Sequence, residues 1–206
     1  MIATDRAGRR QQPVSGTTGV PLNVFVTINY DLSESGKDNF DRLRNERYCR
    51  WLRHRSKQKK KVFRPHYTYV REGNHVHWNV HIPDELYEEF CDLVPRWVTS
   101  LEPGASRKAS KNHHQSPEGC VKTEPTESSL AVRRYMLKGI DPKHAGRFGI
   151  RHPEGQGTVI GKRAGVSRSL CRAALKRLGY KPQRDATTWG RGRVISRRKA
   201  TNRRLN

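Results

Sequence analysis

The run "YVREGNHVHWNVHIP", Tyr69 to Pro83, constrains this chain more than any other stretch. His75, His77 and His81 fall on odd positions, and Val76, Trp78 and Val80 fall between them, with Ile82 next in the same phase. Such alternation matches the two-residue period of a strand. It puts His75, His77, Asn79 and His81 on one face and the apolar set against a core. "VFRPHYTYV" lies upstream, and Gly73-Asn74 in "EGN" signals a tight turn, so the two runs form a hairpin. A two-residue loop sets Glu72 opposite His75, Val70 opposite His77, Thr68 opposite Asn79 and His66 opposite His81.

One carboxylate and two imidazoles thereby converge at the turn end of the hairpin. That donor set suits a divalent cation, and three protein ligands leave positions open for water or substrate, as catalytic sites do. Histidines on an open sheet face can also be simply solvated. Here a carboxylate stands at the matching register and Trp78 anchors the inner face, so Glu72, His75 and His77 are the metal-ligand candidates. His81 lies far from the turn and is expected to meet substrate or solvent.

Around the hairpin, "PLNVFVTINYDL" is rich in β-branched residues and reads as a strand, buried on both faces near Phe25. A helix follows, with Phe40, Leu43, Arg47 and Trp51 near helical spacing. It runs into "KQKKK", which serves either as a solvated helix end or as a phosphate contact. Asp84 is placed to cap a helix carrying Leu86, Phe90, Leu93 and Trp97, which Pro95 kinks or ends. Residues 103–128 show no period and read as a long loop. "SSLAVRRYMLKG" reads as a short helix ending at Gly139, and a last helix is predicted from Ser167 to Leu178. "AGVSRSL" resembles part of a helix-turn-helix, but no first helix precedes it. The fold class is α+β: a central antiparallel sheet bearing the histidines, flanked by helices. The domain spans 21–180, between a flexible arm at 1–20 and a basic tail at 181–206.

Charge points to the partner. The chain carries 42 basic and 19 acidic residues among 206, a net +23. Lysine and arginine displace counterions from a phosphate backbone, so nucleic acid is the expected partner. The four cysteines form no C-x-x-C pair, which argues against a zinc ribbon and for reduced thiols. No signal peptide or membrane-spanning run is evident, and a cytoplasmic location is expected.

"HVH" after "VRE" resembles the histidine-hydrophobe-histidine motif of the HUH endonuclease superfamily, which includes rolling-circle replication initiators, relaxases and single-tyrosine transposases. "VFVTINYD" resembles the first-strand motif of the initiators, and "YMLKG" resembles their helix bearing the nucleophilic tyrosine. The order of motifs is that of initiators and not of relaxases. The resemblance covers roughly Val24 to Gly139. It implies a metal-dependent endonuclease that nicks and rejoins single-stranded DNA at a replication origin or hairpin. In that reading Tyr135 is the nucleophile, forming a 5′-phosphotyrosine, and Lys138 assists it from the same helix face. The implied metal is Mg or Mn. A host helicase and polymerase would be partners, since the chain is too short to carry a helicase. Arg133, Arg134, Lys162, Arg163, Arg168 and His81 are the candidate DNA contacts, with a solvated helix face as the alternative for the first two. A transposase of the same superfamily, or a non-catalytic nucleic-acid-binding protein with a structural metal, are the competing functions.

Overall fold

The computed structural model describes residues 20–29, 35–73, 75–101, 121–126, 129–155 and 157–179. The expected arm up to residue 19, most of the loop at 103–128 and the expected tail at 181–206 lie outside these residues. The α+β expectation holds. Among the described residues, five strands form one antiparallel sheet in the order β4-β1-β3-β2-β5. They are β1 (Val24–Asn29), β2 (Tyr67–Glu72), β3 (His75–Val80), β4 (Val121–Pro125) and β5 (Ala164–Val166).

One sheet face is apolar. Val24, Val26, Ile28, Tyr67, Tyr69, Val76, Trp78 and Val80 belong to a single buried cluster. Helices α1 (Ser35–Arg42), α2 (Cys49–Gln58) and α3 (Tyr87–Leu101) cover it. Between α1 and α2, Leu43–Tyr48 forms a π-helical segment. The wider turn makes residues five apart share a face, so Leu43 and Tyr48 are both buried. Arg47, expected within the apolar stripe, is exposed instead.

Helix α3 does not end at Pro95, where a kink or an end was expected, but continues to Leu101. Phe90, Val94, Val98 and Leu101 form one buried face on both sides of the proline. Burying four such side chains, at about 1.5–3 kcal/mol each, outweighs the roughly 3 kcal/mol a proline costs in a helix interior. Asp84 does not cap this helix: Asp84–Leu86 form a 3-10 turn before it.

Three segments differ from the sequence expectation. Val121–Pro125, within the expected loop at 103–128, is an edge strand paired to β1. Its sequence VKTEP carries one buried residue, Val121, and a proline, so it shows no apolar alternation. "AGV" is not a helix-turn-helix turn but the short strand β5, with Gly165 opposite Tyr69. A Cβ at Gly165 would lie 2.6 Å from the Tyr69 ring, so the side-chain-free residue is what allows β5 to pair there. The helix expected from Ser167 to Leu178 is a 3-10 turn at Arg168–Leu170, an extended Cys171, and α6 (Arg172–Arg177). Short helices α4 (Ser129–Met136) and α5 (Pro142–Ala145) complete the set. Among the described residues no helix is long and apolar enough to cross a membrane.

Candidate metal centre

The second sheet face carries the chemistry. Strand pairing puts Glu72 opposite His75, Val70 opposite His77 and Thr68 opposite Asn79. This is the register that the hairpin and the two-residue period dictate. Phe25, Val70, Met136 and Ala164 form a small apolar cluster on this face. Met136 ties α4 to the sheet, and the same helix carries Tyr135 over the histidines.

Glu72 is the hub of the cluster. Its carboxylate is 2% exposed, and Oε2 lies 2.8 Å from His75 Nε2, 3.3 Å from His77 Nε2 and 3.4 Å from Lys138 Nζ. Burial alone would raise its pKa. Hydrogen bonds from His75 and His77, with the positive charge of His77 and Lys138, prevail and hold it at about 2. It is therefore a carboxylate at neutral pH. His77 is fully buried, and burial lowers its pKa more than Glu72 raises it. A neutral imidazole is the form that binds metals. Lys138 moves the other way: burial is outweighed by Glu72 and Tyr135, so its pKa is raised and it stays an ammonium.

One donor atom from each of Glu72, His75 and His77 fits within 4.8 Å of the others. Two imidazole nitrogens and a carboxylate oxygen at that spacing fit one divalent cation. Part of the support comes from residues that spacing did not single out. Thr27, opposite His77 on β1, places Oγ1 3.2 Å from His77 Nδ1. That contact on the far nitrogen directs Nε2 toward Glu72, as outer partners of metal-binding histidines do. Phe25 stacks on the His77 ring at 5.5 Å and 18°. The only sequence signal for either is that Phe25 and Thr27 share a strand face.

Tyr135 is 45% exposed and stands edge-on to His77, with ring centroids 4.8 Å apart at 70°. Lys138 Nζ lies 4.4 Å from the Tyr135 ring centroid. The segment after α5 closes the rim. Glu154 N–H donates to the Lys138 carbonyl at 2.8 Å, and Gly157 packs against Gly73 at the hairpin turn. Exposed Lys162 and half-buried Arg163 follow on this rim, where the Arg163 carbonyl accepts from Arg71 N–H at 2.7 Å and its guanidinium donates to the Gly157 carbonyl. Exposed Arg134 lies on α4 itself.

Three candidate DNA contacts sit elsewhere. Arg133 is 2% exposed, so it faces inward and offers no surface contact. Its burial, with Arg134 nearby, lowers its pKa to about 10. Arg168 follows Ser167, whose N–H bonds the Tyr67 carbonyl, at the opposite end of β2 from Glu72. His81 is at that same end. It is six residues beyond His75, about 20 Å along a strand, and its Nδ1–H donates to the Pro21 carbonyl at 2.7 Å. Its ring meets His66 at 6.2 Å, so it belongs to a separate pair. The chain matches no protein family, no curated protein and no solved structure.

Proposed function

We propose that this protein is a metal-dependent endonuclease that nicks and rejoins one strand of DNA through a covalent bond to Tyr135, in the manner of the rolling-circle initiators its motifs resemble. The observation that carries the reading is an exposed tyrosine packed on the imidazole of a candidate metal ligand. A buried structural metal would have no use for a solvent-facing phenol beside it. Glu72, His75 and His77 would hold the cation, with Mg or Mn as the expected metal. When bound, it would polarise the scissile phosphate and offset charge gathering on its oxygens.

The chain's own residues do the rest. Tyr135 Oη bonds to phosphorus as the bond from phosphorus to the 3′ oxygen breaks. The phenolic proton passes to solvent, and the departing 3′ oxygen takes up a proton. The 5′ phosphate stays on the tyrosine, which conserves the ester for later joining where attack by water would not. The Lys138 ammonium, held between Glu72 and the Tyr135 ring, adds positive charge where the phosphate must sit. Exposed Arg134 and Lys162 serve as phosphate contacts in this reading. Single-stranded DNA at an origin or hairpin is the substrate in this reading, with host helicase and polymerase acting downstream. The test is incubation with circular single-stranded DNA and Mn or Mg. Linear product that needs the added metal supports the proposal, and intact circles under all conditions contradict it.

A further inference from the structure

The helix layer on the other side of the sheet carries a second organised charge. Arg50, Arg53 and Lys57 are exposed on α2 at spacings of three and four, so they share one side of the helix. Exposed Arg47 precedes them on the π segment. The row from Arg47 to Lys57 runs about 15 Å at the helical rise.

Several neighbouring cations are neutralised and this row is not. Arg44 pairs with Asp41, Arg55 with Glu89, and Lys59 and Lys61 with Glu85. Arg42 reaches Glu46 at 3.8 Å. Among the described residues, Arg47, Arg50, Arg53 and Lys57 make no ion pair. Arg53 Nε donates to the Cys49 carbonyl at 3.2 Å, which lays its guanidinium along the helix. The acidic residues near α2 are thus engaged at its edges, and the outward row is left for an external anion.

We infer that this row is a second nucleic-acid surface, one that grips duplex DNA by its phosphates. A duplex presents about one charge per 1.7 Å of axis, a fixed lattice that a rigid helical row can match. Single strands are held by aromatic stacking as well as charge, and α2 exposes no tryptophan, tyrosine or phenylalanine, His54 being its exposed ring: Trp51 is 8% exposed, and Tyr48 on the preceding π segment is 0% exposed. The sheet and a helix layer roughly 10 Å thick separate the row from Glu72, so the two surfaces serve different parts of a DNA molecule. The inference borrows from the proposed function only its partner and not its chemistry.

The test is binding of a 20-base-pair duplex of arbitrary sequence, in EDTA, across a salt series. The triple variant R50E/R53E/K57E should bind at least tenfold more weakly. Its log–log salt slope should be shallower by roughly 2–3, at about 0.9 per lost phosphate contact. A single strand of 20 nucleotides should lose less than threefold. R172E/K176E/R177E on α6 changes the net charge equally and should leave duplex binding within threefold. If the glutamates prevent folding by circular dichroism, R50Q/R53Q/K57Q replaces them with the same slope change expected. An unchanged slope, or an equal loss in the α6 control or on the single strand, overturns the inference. Because no metal is present and no cleavage is read, either proposal can fail without the other.

Discussion

The Tyr135 ring stands edge-on to His77, centroids 4.8 Å apart, while Phe25 stacks on the same imidazole. A candidate nucleophile and a candidate ligand thus share one packed unit. Tyr135→Phe keeps that packing and removes one oxygen. We expect loss of nicking beyond about a thousandfold, with metal affinity within twofold and stability within about 0.5 kcal/mol, as for a surface change. Calorimetry with Mn and thermal melting check the last two.

Metal affinity should divide the histidines. His75→Ala and His77→Ala each remove a donor from the Glu72 cluster and should abolish measurable Mn binding by calorimetry. His81→Ala lies at the far end of the sheet and should leave it within twofold. It should cost about 1 kcal/mol of stability, through loss of its hydrogen bond to the Pro21 carbonyl.

Thr27 should matter out of proportion to its distance in sequence. A metal needs the lone pair on His77 Nε2, which requires the proton on Nδ1, and the Thr27 hydroxyl, 3.2 Å from Nδ1, can accept it once a metal is bound. Thr27→Val keeps the shape and loses the acceptor, so Mn affinity should fall about tenfold. Thr27→Ser should restore it. Calorimetry with Mn on the three proteins checks this order.

Acid should unfold the metal-free protein partly through Glu72. Its folded pKa, about 2, lies below the ordinary glutamate value of 4.5. A depressed carboxylate stabilises the fold above the unfolded pKa, and that contribution is lost as pH falls toward the folded one. About 2–3 kcal/mol should therefore disappear between pH 4.5 and 2. Urea titrations across that range check it, and in Glu72→Gln this part of the fall should be absent.

The hairpin and its ligand register were legible because both rest on local signals, a tight turn and a period of two. Thr27 was not, because its contact with His77 bridges fifty residues. Arg47 and Tyr48 exchanged places because one π turn shifts the helix phase, and the composition there does not announce it. Strand β4 has one buried residue and a proline, so nothing separates it from loop by pattern. Arg133 looked like a surface partner of Arg134, but the packing of Met136 beneath α4 sets which side of that short helix turns inward.

The central claim is that Tyr135 becomes bonded to DNA. The direct measurement is to incubate the protein with a random pool of single-stranded oligonucleotides and Mn, digest it, and locate the nucleotide-bearing peptide by mass spectrometry. The expected result is a 5′-phosphonucleotide on Tyr135, absent in EDTA. A nucleotide on another residue, or cleaved DNA with no peptide attached, would contradict it.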